Sequence, residues 1–186
     1  MRRIAYLLGL LGLAALAACS GARAVAPDFT LSDDAGNGWT PSLQGKAMVL
    51  LFGFTHCMDT CPATLAKLER LTKELGPHAG DVNIVFVTID PQRDSGPVLR
   101  RFLSNFAQPG AAHLVGLTGT PAQIESVERA YHVWSQKIPG KRRNMEYDEA
   151  HTSVIFLVDA NGRMRGMHDD DESTQTLSQA IRGMLE

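Results

Sequence analysis

The stretch Ala47-Met48-Val49-Leu50-Leu51-Phe52-Gly53-Phe54-Thr55-His56-Cys57-Met58-Asp59-Thr60-Cys61-Pro62 decides how the rest of the chain is read. Ala47 to Phe54 is a continuous apolar run rather than an alternating one, the pattern of a central strand covered on both faces. After the proline, Leu65, Leu68, Leu71, Thr72 and Leu75 recur at helical spacing. Pro62 suits the first helical position and disfavours helical geometry at Cys61, so the helix is predicted to begin there, with Cys57 on the loop before it. Two cysteines thus fall between a central strand and a helix, where α/β folds place their chemistry.

The same alternation continues outward. Val82 to Ile89 and Val154 to Val158 are further continuous apolar runs, and His113 to Leu117 is a shorter strand candidate. Val98, Leu99, Phe102, Leu103 and Phe106 form a second helical face. Ile124, Val127 and Tyr131 mark a third helix, and Leu177, Ile181, Met184 and Leu185 a fourth. Strands alternating with helices predict an α/β fold, a central mostly parallel sheet with helices on both faces. Asp28 to Leu43 holds a short strand and a turn through Gly36-Asn37-Gly38. The charged stretch Ser135 to Ala150 is a loop or hairpin of unusual length, and its Lys141-Arg142-Arg143 run reads as a solvated loop. The Asn161-Gly162 turn predicts a closing hairpin, antiparallel at the sheet edge. With 186 residues, 18 Lys and Arg against 20 Asp and Glu, and no long basic block, the chain is one globular domain and not a nucleic-acid binder held by phosphate contacts.

The N-terminus is read separately. Arg2 and Arg3 precede an apolar run, Ile4 to Ala18, that is short of the roughly 20 residues of a spanning helix. It ends in Leu16-Ala17-Ala18-Cys19, which resembles the bacterial lipobox, whose cysteine is lipidated and becomes the first residue. The expected organisation is a lipoprotein signal peptide over residues 1–18, a tether over 19–27 and the folded domain over 28–186. Such a protein is exported and anchored to a membrane through its lipid, facing the periplasm or cell exterior, where idle thiols do not survive.

Cys57 and Cys61 therefore need a use. Two sulfurs with three residues between them can form a metal clip, a closable redox disulfide or an inert structural one. Near a helix N-terminus the thiolate form is favoured. His56 adjoins Cys57 but points the other way on an extended backbone, and His78, His113, His132 and His168 read as solvated or packed. His151 differs because it enters the third apolar run, whose leading loop would approach the cysteines. An imidazole with two thiolates is a soft set suited to copper(I) and tolerable for copper(II) or zinc.

The segment Gly53 to Pro62 resembles the cysteine motif of the SCO/SenC family of thioredoxin-like copper proteins. Thr88-Ile89-Asp90-Pro91-Gln92-Arg93-Asp94 resembles its second motif, and His151 through Gly162 its third. The resemblance implies a thioredoxin-like fold and copper held by Cys57, Cys61 and His151. It further implies delivery of copper to the binuclear copper centre of cytochrome c oxidase, or maintenance of that centre's cysteines. The partners implied are the copper-bearing oxidase subunit and a thioredoxin-like dithiol reductant. Met58 replaces a frequent proline and Ala150 a frequent aspartate of the family. Asp90, closing the second central strand, either faces the metal ligands from behind or starts the Pro91 turn, while Arg93 and Asp94 read as a local ion pair or helix cap. The alternative is an extracytoplasmic thiol–disulfide oxidoreductase, for which His151 would be idle. If Cys19 is the lipidated residue, a Cys19→Ser protein will incorporate no labelled lipid and escape processing; normal labelling of it would refute the lipobox.

Overall fold

The computed structural model describes residues 24–140 and 146–186. Cys19, the expected signal peptide and the Lys141-Arg142-Arg143 run lie outside the described residues. Strands β1 (Leu31–Asp33) and β2 (Gly38–Trp39) fold about the expected turn. Three strand–helix pairs follow: β3 (Ala47–Gly53) with α1 (Thr60–Lys73), β4 (Val82–Thr88) with α2 (Gly96–Leu103), and β5 (His113–Thr118) with α3 (Pro121–Ala130). Then come β6 (Ser135–Pro139), β7 (Tyr147–His151), β8 (Val154–Val158), β9 (Met164–Asp169) and α4 (Thr174–Gly183).

Every residue of β3 and β4 is buried, as their continuous apolar sequences require. They pair in parallel from Ala47 against Val82 to Gly53 against Thr88, and β5 continues the parallel set beside β4. The full order is β2-β1-β5-β4-β3-β8-β9, with antiparallel strands flanking the parallel centre. Antiparallel pairing starts at β8, one strand further in than the closing hairpin alone would give. Side chains of alternate parity then build two cores. Val49, Leu51, Ile84 and Phe86 pack against Leu65 and Leu68 of α1, Leu99 of α2 and Leu177 and Ile181 of α4. Met48, Leu50, Phe52, Val85 and Val87 pack against Ile124 and Val127 of α3, with Tyr131.

The packed domain reaches back beyond Asp28 into the expected tether. Val25 bridges Arg163, Ala26 N donates to Gly162 O at 2.8 Å, and Met164 N donates to Ala24 O at 2.8 Å. These bonds use backbone groups of the β8–β9 turn, and Tyr131 Oη secures the segment by donating to Pro27 O at 2.8 Å. Helix α1 also starts earlier than predicted, at Thr60. Pro62 is its third residue, where the missing N–H belongs to the first turn and has no partner within the helix anyway.

Glycine at 116 is a packing requirement. A Cβ there would stand 2.6 Å from Leu103 Cδ1 and 3.3 Å from Leu99 Cβ, so α2 rests directly on the β5 backbone. Gly116→Ala should cost about 1–3 kcal/mol by overpacking this contact, measured as a lower urea midpoint with unchanged slope.

Candidate metal centre

The parallel pairing of β3 and β4 sets Gly53 beside Thr88, so the loops that follow both strands emerge together. At Gly53 a Cβ would lie 2.9 Å from Cys61 Sγ and 2.8 Å from Phe86 Cε2. The absent side chain lets the Cys61 sulfur rest against the strand end. The loop beyond is held by a buried carboxylate: Asp94 accepts from Thr55 N at 2.9 Å, Thr55 Oγ1 at 2.6 Å and Thr88 Oγ1 at 2.7 Å. Burial raises the Asp94 pKa, and the Thr55 and Thr88 hydrogen bonds oppose that rise.

Both thiols are free, with Cys57 partly exposed and Cys61 buried. Asp59, the residue preceding α1, offers the helix no side-chain cap. The Cys57 sulfur does so instead, accepting from Cys61 N at 3.2 Å. The hydrogen bond from the Cys61 thiol, then those from the Cys61 and Asp59 amides, pull Cys57 down to about 6 against the opposing effect of burial. Cys61 moves the opposite way, because its proton is shared with the Cys57 thiolate and its sulfur is desolvated. One sulfur is a ready thiolate; the other keeps the proton.

His151 ends β7 and faces this pair across a cleft of about 460 Å³ bordered by Phe54, Cys57, Met58, Ile138 and Ala150. It also shares a small recess with Cys61, Thr64 and Ser153. Its Nδ1 lies 2.9 Å from Thr152 O. A carbonyl only accepts, so Nδ1 carries the proton and Nε2 keeps its lone pair. Phe54 meets the ring edge-on with centroids 6.1 Å apart. Glu149, two residues away, is pushed up to about 7 by burial, then by the charge of Asp90. Among the described residues, no three Cys, His, Asp or Glu side chains stand close enough to hold a metal ion as they are. The two sulfurs are together, and the imidazole is opposite them.

Asp90 does not border this cleft. Its carboxylate accepts from Arg93 Nε and from Tyr147 Oη, the latter at 2.9 Å, so the ion pair of this turn is Asp90–Arg93 and not Arg93–Asp94. Asp94 caps no helix; α2 is preceded by Ser95. His56 is exposed on the cleft rim, and Met58 is 62% exposed beside it. His78 and His168 bond to Asp81 and Glu172 respectively, and His113 and His132 are exposed. Sequence reasoning missed Thr55 and Tyr147 and gave Asp94 a different role. Thr55 carried a faint signal, a polar side chain directly beyond a continuous apolar run.

A thioredoxin-like domain with a free dithiol at the start of its first long helix and an imidazole facing it defines the class of protein. The family described as SCO1/SenC matches residues 17–186, and the chain belongs to it. A SCO2-like protein of Rickettsia felis is 33% identical over 157 residues, covering 84% of this chain and 75% of that one. The structure of Bradyrhizobium japonicum ScoI with copper bound superposes with a TM-score of 0.73 at 34% identity, over 87% of this chain and 98% of that one. BsSco, described as a member of the Sco family of cytochrome c oxidase assembly proteins, shares the fold at 22% identity, with a TM-score of 0.65 over 88% of this chain and 94% of that one.

The unequal sulfurs have a kinetic signature. Limiting iodoacetamide should modify Cys57 first, with a rate that falls as pH drops through about 6. Cys61→Ala removes the thiol donor and should move that midpoint toward the ordinary thiol value of about 8.5.

Proposed function

We propose that the chain binds one copper ion through Cys57, Cys61 and His151 and passes it to the binuclear copper centre of cytochrome c oxidase. The observation that carries this reading is the His151 tautomer: Nδ1 is committed to Thr152 O, which leaves the Nε2 lone pair for a ligand opposite the sulfurs. Two sulfurs and a neutral imidazole are a soft donor set that accommodates copper(I) and copper(II) and rejects calcium or magnesium. The copper-bound Bradyrhizobium relative supports the choice of metal. Because the three groups do not yet converge, taking up copper draws the dithiol loop and the β6–β7 hairpin together. Cargo that is held by a closing cleft leaves when the cleft opens.

The same sulfurs suit a second use. A Cys57 thiolate attacking a partner's disulfide would form a mixed disulfide, which Cys61 resolves; the partner's two cysteines leave reduced and this chain's pair leaves oxidised. The depressed Cys57 and the proton-bearing Cys61 behind it favour that order of attack. Return to the dithiol then requires a separate dithiol reductant. Lipid attachment at Cys19 would hold the domain at the membrane surface on the exported side.

Copper titration of the reduced protein should give one equivalent, with thiolate charge-transfer absorption for copper(II). Cys61→Ser should lose binding, His151→Ala should keep disulfide formation while binding copper(II) far more weakly, and the oxidised protein should hold no copper. Stoichiometric copper on Cys61→Ser or on the disulfide form would overturn the assignment.

A further inference from the structure

Strands β6 and β7 form a two-stranded sheet of their own and, among the described residues, pair with no strand of the main sheet. Side-chain contacts must therefore decide where His151 sits. At the hairpin base, Thr152 N donates to Trp134 O at 2.9 Å, Trp134 N donates to Thr152 Oγ1 at 3.2 Å, and Ser135 faces Glu128. Beyond the base, the hydrogen bonds described from the hairpin to the rest of the fold all end on the turn after β4. Tyr147 Oη donates to Asp90, Arg93 Nη1 donates to Tyr147 O at 3.0 Å, and Lys137 Nζ donates to Gln92 Oε1 at 2.6 Å. Two cations lie over the Tyr147 ring, with Arg93 Cζ at 3.7 Å and Lys137 Nζ at 4.1 Å from its centroid. Arg93 also reaches to 6.0 Å from the Phe54 ring, which packs against His151.

The same turn holds the opposite wall. Asp94 N donates to Asp90 O at 2.9 Å, closing the turn, and the Asp94 carboxylate takes both donors of Thr55 at the start of the dithiol loop. Its carbonyl accepts from Thr118 at the end of β5. Asp90 and Asp94 are both fully enclosed, at 1% and 0% exposure, so neither carboxylate has water to fall back on.

We propose that the five residues Asp90 to Asp94 are the positioning element of the copper site: Asp94 fixes the dithiol loop, Asp90 and Arg93 fix the hairpin, and Tyr147 is the contact through which the turn holds His151. The inference rests on the reading of His151 as a ligand. Tyr147 touches no copper; it acts through the imidazole. Removing support of this kind typically costs about 10–100-fold in metal affinity.

The discriminating variant is Tyr147→Phe, which keeps the ring against its two cations and removes only the hydroxyl that donates to Asp90. In the reduced full-length chain it should lower copper(II) affinity by about tenfold or more, shift the thiolate charge-transfer band and leave one copper(I) per dithiol. Amide exchange over residues 147–151 should quicken in the metal-free protein. In a His151→Ala background the same change should cost nothing further, because its effect passes through His151. Arg93→Gln supplies a second, stronger perturbation with the same expected pattern, and thermal melting reports whether either variant is folded. Wild-type amide protection, wild-type copper(II) affinity, or an additive loss in the double variant would overturn the positioning role. A His151→Ala protein that binds copper(II) normally would instead overturn the ligand reading, and the positioning role with it.

Discussion

β3 runs for seven residues in unbroken parallel register with β4, and the rest of the molecule's chemistry depends on that pairing. Parallel strands end on the same side of a sheet, so the loop after Gly53 and the turn after Thr88 become neighbours although 35 residues of chain separate the two positions. The ladder extends one step further, with Ile89 N donating to Gly53 O at 2.8 Å. Slipping the register by one residue would turn Thr88 and Phe86 to the opposite face. Asp94 would lose Thr88, and the gap at Gly53 would no longer meet the Cys61 sulfur.

At the helix start, the usual oxygen cap is replaced by sulfur. An amide donor, a thiol donor and the amino end of α1 converge on one atom, and that convergence separates two chemically identical side chains into a thiolate and a protonated thiol. A metal ion and a disulfide bond would compete for the same two sulfurs, so the redox state of this pair would govern the copper binding proposed at the cleft. The family's frequent aspartate before the histidine is Ala150 here, and the nearest acidic side chains on the hairpin are Asp148 and Glu149. Neither stands within a ready cluster of metal ligands in the described residues.

Much of the fold was legible in the chain. The runs at Ala47, Val82 and Val154 became strands because nothing but full burial accommodates continuous apolar residues of that length, and the helical faces of Leu65, Leu99, Ile124 and Leu177 all turned inward. Cys57, Cys61 and His151 stood out in the sequence because their side chains are chemically specific, and the structure sets the imidazole across a cleft from the paired sulfurs. What was not legible is tertiary. Asp90 read either as facing the metal ligands or as starting the Pro91 turn; it starts the turn, and its carboxylate meets Tyr147, 57 residues later, on a hairpin whose two strands pair only with each other among the described residues. Asp94 read as half of a local ion pair or as a cap, because local rules favour both for acids near helix starts. It holds Thr55 instead, across 39 residues, and no periodicity reports such a bond.

The separate hairpin has a mechanical consequence. Ser135 pairs with His151 at the base, and Pro139 pairs with Tyr147 toward the tip. The hairpin is thus a short lever hinged near Trp134 and Thr152, with the imidazole close to the hinge and the tyrosine lock about 13 Å out along the strand. Over such an arm, 1 Å of play at Tyr147 swings the hairpin by only about 4°, well inside the roughly 10–20° that a functional constellation tolerates. Small thermal slack at the outer end is geared down before it reaches the ring. Full release removes the stop altogether, so the hairpin tolerates jitter and is sensitive to unlatching.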